Sequence, residues 1–168
     1  MLARSEFLVS AGSYLAASVY VPPVRVASVE GLTVIFVHGA WADGSSWSKV
    51  IVPVAARGVN VMAAPIPLTT LDNDVSALEW AIARTSGPVV LVSHAYAGAV
   101  ISSVQSARVK ALVFINSLVP DQGETVADVF YRKPPHPQAP ALAPDANGYI
   151  WMPAKAFDTA FAPNASPS

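Results

Sequence analysis

Residues 88–101 read PVVLVSHAYAGAVI, and this stretch decides the fold. Its first half is an uninterrupted apolar run, which predicts a strand over 88–93 that is buried on both faces. A helix is predicted almost directly afterwards, over 99–107. A buried strand that turns through small residues into a helix is the building unit of a parallel α/β sheet.

The same alternation continues on both sides of this stretch. Further strands are predicted over 33–37, 59–64 and 109–115. One helical stretch begins at Ser45 and is broken or kinked at Pro53, and a clearer helix begins at Leu71 and ends before Gly87. Because crossovers between parallel strands are right-handed, these elements predict the α/β class: a partial doubly wound parallel sheet of four main strands with helices on both faces.

The composition excludes several classes of function. The chain has 168 residues, of which 53% are hydrophobic and 12% are charged, with a formal net charge of −1. No stripe of Lys and Arg is present, so nucleic acid is not an expected partner. With no Cys and only three His, we expect no disulfide, no thiolate chemistry and no metal. Since neither a dinucleotide-binding nor a phosphate-binding glycine motif follows a strand, we also expect no cofactor.

Two short segments carry the chemical signal. His38-Gly39-Ala40-Trp41 follows the first predicted strand, and Ser93-His94-Ala95-Tyr96-Ala97-Gly98 follows the third. A doubly wound sheet binds its ligands at the carboxyl ends of the strands, where both segments fall. The second segment has the strand–turn–helix context of a nucleophile elbow, whose form is G-x-S-x-G. Here the five residues are S-H-A-Y-A, and the central one, Ala95, carries no nucleophile.

On these two motifs the chain resembles the α/β-hydrolase superfamily. It looks most like the small bacterial esterase-like hydrolases that are related to plant methylesterases and hydroxynitrile lyases. The motifs stand here as VIFVHGAWADGSSW (34–47) and LVSHAYAGAVI (91–101), and the resemblance covers roughly residues 32–131. It implies a sheet in which the first predicted strand is central, between the second and the third, with the fourth beyond the third.

The resemblance also implies where a ligand binds. In this family the oxyanion hole is formed by the backbone N–H after the nucleophile and by another from the loop that follows the first strand. Carried over, these are the N–H groups of Tyr96 and Ala40. His38, Gly39 and Trp41 complete the binding loop. Such a hole suits a small apolar ester or carbonyl ligand.

The implied catalytic set is incomplete. Ala95 occupies the nucleophile position, and the triad histidine, which follows the last strand in the family, has no counterpart in the sequence. His94 beside the elbow and Asp121 after the fourth strand are the remaining candidates for catalytic roles. We therefore expect a truncated hydrolase that ends at Ser168 within a lid and is catalytically degenerate for ester hydrolysis.

Two other functions stay open. One is a binding module that uses the hydrolase cleft for a small ligand. The other is an enzyme with lyase-like or hydrolase-like chemistry that depends on a histidine instead of a serine. The sequence does not name the substrate in any of these cases.

The distribution of prolines divides the chain. Nine of the fifteen prolines lie between Pro120 and Pro167, where the strand and helix patterns stop. Long segments of this kind are commonly lids or linkers. We therefore expect an α/β-hydrolase core over 31–118 and a lid-like segment over 119–168.

The N-terminal residues form a third segment. Residues 1–30 are expected to be an extension or a degenerate signal-like segment, because residues 7–21 are apolar or small. This apolar stretch is shorter than the roughly 20 residues that a membrane-spanning helix needs, so no integral membrane span is expected. A cytoplasmic location is slightly favoured over export.

The last predicted strand is expected to form an edge. The 109–115 strand is interior in the family, and here no further strand is predicted beside it. Apolar edges of this kind invite pairing with another chain. We expect the Pro-rich tail to cover the edge, a second copy to join it, or the protein to be poorly soluble.

Overall fold

One parallel sheet organises the protein. The computed structural model describes residues 29–137 and 139–164. Within them lie the strands β1 (Thr33–Val37), β2 (Asn60–Ala64), β3 (Val89–Ala95) and β4 (Val109–Ser117). Their order across the sheet is β2-β1-β3-β4, which confirms the predicted class, the four strands and the order that the resemblance implied. The signal-like stretch and nearly all of residues 1–30 lie outside the described residues.

The register brings the strand ends together at one edge. Val37, the last residue of β1, is aligned with Ala64 of β2 and with Ser93 of β3. The loops after β1 and β3 therefore leave the sheet side by side. This alignment places the two motif segments next to each other, as a ligand site of a doubly wound sheet requires.

Helices cover both faces of the sheet. They are α1 (Ser48–Ala55), α2 (Leu71–Ala83) and α3 (Ala97–Ser103), with a 3-10 turn over Gly44–Trp47 before α1. The C-terminal segment adds α4 (Val126–Phe130), α5 (Ala154–Ala156) and a π-helical turn over Phe157–Phe161. Neighbouring strand residues face opposite sides. Accordingly, Ile35 packs with Leu78 and Leu91 in the larger apolar cluster, whereas Phe36 packs with Trp47 and Val92 in the smaller one. No helix in the described part of the chain is long and apolar enough to cross a membrane.

The helix boundaries differ from the predicted ones in two places. α1 passes through Pro53 and ends at Ala55, so the proline lies in the last turn of the helix and does not break it. α3 begins and ends earlier than the predicted 99–107. It ends at Ser103, and the next residue, Val104, has an extended backbone with ψ 132°. The last two helical residues are serines whose hydroxyls donate to carbonyls four residues earlier. Such local bonds compete with helix continuation.

β4 is an edge strand of the described sheet, and its apolar side chains are open to solvent. Leu112, Val113, Phe114 and Ile115 are 39% to 45% exposed, although they point alternately to the two faces. Of the outcomes expected for this edge, coverage by the Pro-rich tail is therefore not observed among the described residues. That segment lies over the carboxyl ends of the strands instead, as described below.

A pair of substitutions on α2 tests the packing of the core. Leu78 is fully buried and Trp80, two residues along the same helix, is 73% exposed. We expect Leu78→Ala to lower the free energy of unfolding by about 2–5 kcal/mol, because it removes buried methyl groups and leaves a cavity. Trp80→Ala is the matched control and should change it by no more than about 0.5 kcal/mol. Urea denaturation measures both values, and equal losses in the two variants would contradict the arrangement of α2.

Candidate active site

The turn between β3 and α3 has the backbone of an elbow. β3 ends at Ala95 and α3 begins at Ala97, so a single residue separates strand from helix. Ala95 has φ +50°, in the left-handed region that residues with a Cβ rarely occupy. Such strain is retained where the surroundings hold it, and it is common at functional sites. The strained turn is thus present although the residue at its centre is an alanine.

Two glycines allow the chain to close around this turn. A Cβ on Gly98 would lie 2.4 Å from the carbonyl oxygen of Leu118 and 2.8 Å from the Cβ of Ser117. A Cβ on Gly39 would lie 3.0 Å from the Cβ of Ala95. The loop after β1 and the end of β4 therefore both touch the elbow, from its two sides.

The peptide between Ala95 and Tyr96 has a defined orientation. The carbonyl of Ala95 accepts a hydrogen bond from the N–H of Leu118 at 2.8 Å, on the β4 side. The described chain contains no cis peptide, and in a trans peptide the N–H points opposite to the C=O. The N–H of Tyr96 therefore points toward β1 and the loop of Gly39 and Ala40.

Neither of the two predicted oxyanion donors is engaged elsewhere. Within residues 29–137 and 139–164, the backbone N–H groups of Ala40 and Tyr96 have no hydrogen-bond partner. Both residues line the same cavity. Two unpaired N–H groups on residues that line one cavity could together accept a carbonyl oxygen.

The loop after β1 is held by a contact within the loop and by contacts with the C-terminal segment. His38 is buried, and its Nδ1 lies 3.0 Å from the carbonyl oxygen of Gly39. Trp41 has φ +58°, and its indole N–H donates to the carbonyl of Ile150 at 2.8 Å. The indole also meets the ring of Phe161 edge-on at 6.2 Å. Trp41 thus connects the binding loop to the C-terminal segment.

A cavity of about 730 Å³ opens above the elbow. Its floor comes from the loop after β1 and from the ends of β3 and β4, and its walls and roof come from residues between Val126 and Phe161. Among the residues that the structure describes, no Asp, Glu, Lys or Arg lines it. Its size lies within the range of roughly 300–1,000 Å³ that small-molecule sites have.

The side chains that line the cavity fall into two groups. The aromatic ones are Trp41, Tyr96, Phe130, Tyr131 and Phe161. The polar ones include His94, Asn116 and His136. An apolar chamber with a few polar groups suits an organic ligand with one polar centre.

The structure assembles most of the predicted site residues but not all of them. Ala40, Trp41, His94, Ala95 and Tyr96 line the cavity. His38 and Gly39 are buried in the loop that carries Ala40. Asp121 is exposed and outside the cavity lining, where its backbone N–H donates to Glu124.

Asn116 is a cavity residue that the sequence analysis missed. The register between β3 and β4 shifts at their ends, so that His94 is aligned with Ile115 but Ala95 with Ser117. Asn116 is the extra residue, with φ +45°. Bulges of this kind redirect a side chain and occur beside active sites. The only available signal was that asparagine tolerates a left-handed backbone better than most residues.

Asp74 is a second unexpected residue. Asp74 lies in the first turn of α2, where an acidic side chain usually faces solvent, but here its side chain is fully buried. One carboxylate oxygen accepts the N–H of Leu68 at 2.6 Å and the other accepts the O–H of Tyr96 at 2.7 Å. Burial, and then the hydrogen bond to Asp74 and its charge, raise the pKa of Tyr96 well above the ordinary tyrosine value. The phenol therefore acts as a hydrogen-bond donor.

Comparison with known protein families gives one match over most of the chain. A sequence model described as "Alpha/beta hydrolase family" matches residues 34–167. Among curated proteins, the chain is similar to Lipase LipV of Mycobacterium tuberculosis, with 34% identity over 110 residues. This similarity covers 57% of the chain but 41% of the lipase.

Solved structures share the fold. A pyrethroid hydrolase, PytH, superposes with a TM-score of 0.60 at 22% identity, over 70% of this chain and 54% of that one. A pyrethroid hydrolase from Sphingobium faniae JZ-2 gives a TM-score of 0.58 at the same identity, over 70% of this chain and 53% of that one. The chain thus spans less than half the length of the curated relative and about half that of these structures.

The Asp74–Tyr96 pair predicts a pH dependence of stability. The pKa of Tyr96 is higher in the folded protein than the value of about 10 in an unfolded chain. The contribution of Tyr96 is therefore fully present below about pH 10 and is lost as the pH rises toward the folded pKa. Urea denaturation measures the free energy of unfolding from about pH 8 to about pH 11. As the pH rises through this range, that of wild type should fall relative to that of Tyr96→Phe.

The control for this prediction is Tyr149→Phe, because the side chain of Tyr149 is 58% exposed. The difference in unfolding free energy between wild type and this variant should stay constant over the same pH range. A Tyr96→Phe variant whose stability runs parallel to wild type throughout would contradict the buried pair.

Proposed function

The chain belongs to the α/β-hydrolase family, and on this premise we propose that it binds a neutral, apolar ester or carbonyl compound without hydrolysing it by serine chemistry. The carbonyl oxygen of the ligand accepts hydrogen bonds from the N–H groups of Ala40 and Tyr96. The apolar body of the ligand fills the cavity above the elbow. The protein is catalytically degenerate for ester hydrolysis.

One observation carries this proposal. The strained backbone of an elbow is present at φ +50°, but its central residue is Ala95. A methyl group cannot attack a carbonyl carbon, whereas the N–H groups beside it retain their ability to hold the oxygen. Recognition of a carbonyl and attack on it are thereby separated.

The lining of the cavity supports a neutral ligand. No charged side chain from residues 29–137 or 139–164 lines the cavity, and a charged ligand would lose its hydration there without gaining an ionic partner among them. The aromatic rings offer flat apolar surfaces, which favour an aromatic or otherwise bulky body. The 34% identical relative is a lipase, which supports an ester-like polar centre.

The segment 119–168 acts as a lid over the core of residues 31–118 in this proposal. Trp41 supports it, because its indole binds the carbonyl of Ile150 and packs against Phe161. The lid and the oxyanion loop are thus joined through one side chain. A ligand on the floor of the cavity is covered by residues of this segment.

The rate of hydrolysis expected without a nucleophile is low. Serine hydrolases without their triad keep about 10³–10⁴-fold acceleration over water from the oxyanion hole and binding. Such a residual rate is small beside that of an intact enzyme.

A histidine-dependent reaction is the second candidate function, and its support is that His94 and His136 both line the cavity.

A matched pair of ligands tests the proposal. Benzophenone carries a carbonyl between two aromatic rings, and diphenylmethane has a methylene in its place. Because a hydrogen bond contributes about 0.5–1.5 kcal/mol net, we expect calorimetry to show benzophenone binding about tenfold more tightly. Equal affinities for the two compounds would contradict the oxyanion assignment.

Hydrolysis provides the complementary measurement. The wild-type protein should release 4-nitrophenol from 4-nitrophenyl butyrate at no more than the roughly 10³–10⁴-fold excess over buffer that a site without its triad retains. It should not be labelled by a serine-directed phosphonate. Ala95→Ser alone should not restore turnover, because a nucleophilic serine needs a positioned general base. Turnover by this variant would reveal such a base, with His94 and His136 as the residues to replace next.

We further propose that β4 pairs with β4 of a second copy. A strand beside its own twofold-related copy is self-complementary, as a closed dimer requires. The exposed apolar residues Leu112 to Ile115 on both faces of β4 support this pairing. The two sheets would join into one that continues through both copies.

Light scattering coupled to size-exclusion chromatography tests this pairing. Wild type should elute as a dimer, and Phe114→Lys, which puts a charge on the edge strand, should elute as a monomer. Val52→Lys is the control, because Val52 is 70% exposed on α1, away from β4. A monomeric wild type, or a control that dissociates as Phe114→Lys does, would contradict the pairing.

A further inference from the structure

We propose that Asp74 is a positioning residue that fixes the backbone N–H of Tyr96 in its carbonyl-binding orientation. The inference rests on the proposed carbonyl-binding function and adds a residue that lies outside the cavity lining. Asp74 acts entirely through Tyr96. It touches no ligand itself.

The carboxylate of Asp74 is buried without a cationic partner among the described residues. Asp74 lies in the first half of α2, with no exposed surface. The one ion pair in the described part of the chain joins Arg132 and Glu124, so Asp74 has no cationic partner there. A buried carboxylate without a counter-ion is unfavourable unless hydrogen bonds satisfy it. Its two hydrogen bonds therefore account for its presence better than packing does.

The two hydrogen bonds of Asp74 connect two strained turns. Leu68, whose N–H binds one oxygen, has φ +56°, and Ala95, next to Tyr96, has φ +50°. Both residues are in the left-handed region, which side chains with a Cβ disfavour. One carboxylate therefore joins two strained turns, the first before α2 and the second after β3.

Hydrogen bonds fix two of the three polar groups of Tyr96. Its O–H donates to Asp74 at 2.7 Å, and its carbonyl accepts the N–H of Ala99 at 3.0 Å. The remaining polar group, the backbone N–H, has no partner among the described residues. Tyr96, which lines the cavity, is thus anchored at both other polar positions, and its backbone N–H is the group left over.

Two hydrogen bonds therefore orient the peptide at the elbow from two different sides. Leu118 orients the peptide from the β4 side through the carbonyl of Ala95. Asp74 orients it from the α2 side through the phenol of Tyr96. Without the second anchor, Tyr96 can rotate its ring and relax the strained turn, and the N–H loses its fixed direction. Carbonyl recognition then weakens while the apolar cavity remains.

The test measures recognition and stability separately. Benzophenone labelled with ¹³C at the carbonyl is bound to each variant, and isotope-edited infrared spectroscopy records the carbonyl stretch. Wild type should shift the stretch to lower frequency and bind benzophenone about tenfold more tightly than diphenylmethane. Tyr96→Phe should lose most of the frequency shift and reduce the preference to less than about threefold.

A double variant guards against loss of folding. Asp74→Leu combined with Tyr96→Phe replaces both partners of the hydrogen bond between α2 and the elbow with apolar groups, which is often nearly neutral for stability. The N–H of Leu68 also loses its acceptor, but Leu68 is 37% exposed, so water can replace the carboxylate. The double variant should also lose the frequency shift, while its affinity for diphenylmethane stays within about twofold of wild type. Tyr149→Phe is the control, since Tyr149 lies outside the cavity lining, and it should behave as wild type.

The outcomes are distinguishable. Loss of the carbonyl shift in Tyr96→Phe and in the double variant, with diphenylmethane binding retained, supports the positioning role. A wild-type shift that both variants keep overturns this role and leaves the carbonyl-binding function standing. A wild-type protein that binds benzophenone without any shift overturns the carbonyl-binding function, and the positioning role with it.

Discussion

The site depends on one strained peptide turn, at Ala95. A residue with a Cβ occupies the left-handed region there only because its surroundings hold it. Gly98 lets α3 approach the end of β4, Gly39 lets the loop after β1 approach Ala95 itself, and Leu118 binds the carbonyl of Ala95. These constraints direct the next N–H toward β1. In our proposal, this strained turn is an elbow that carries a methyl group in place of a nucleophile.

This constraint separates two functions that an elbow usually combines. Holding a carbonyl oxygen needs only backbone N–H groups and a dry pocket, whereas attacking the carbonyl carbon needs a nucleophile and a base. The described residues supply an apolar chamber, two unpaired N–H groups and a covering segment that is tied to Trp41. With Ala95 at the centre, binding without serine chemistry is the function that we propose for this set of groups.

Much of the fold follows from local patterns, and the fine geometry of the site does not. Apolar runs predicted all four strands, and the position of Ala95 was evident because small residues must surround an elbow. The bulge at Asn116 was not predicted, since it arises from a register shift between β3 and β4 that neither strand encodes alone. The burial of Asp74 was also missed, because an acidic residue at the start of a helix usually faces solvent. Its partners, Leu68 and Tyr96, come together only in the folded chain.

The most direct test of the account observes the two N–H groups themselves. In ¹⁵N-edited NMR spectra of the full chain, titration with benzophenone should move the amide proton resonances of Ala40 and Tyr96 downfield, as new hydrogen bonds do. Diphenylmethane should perturb the aromatic residues of the cavity and leave these two amides nearly in place. Equal effects of both compounds on the two amides, or no effect of either, would contradict the claim that the elbow binds a carbonyl oxygen without a nucleophile.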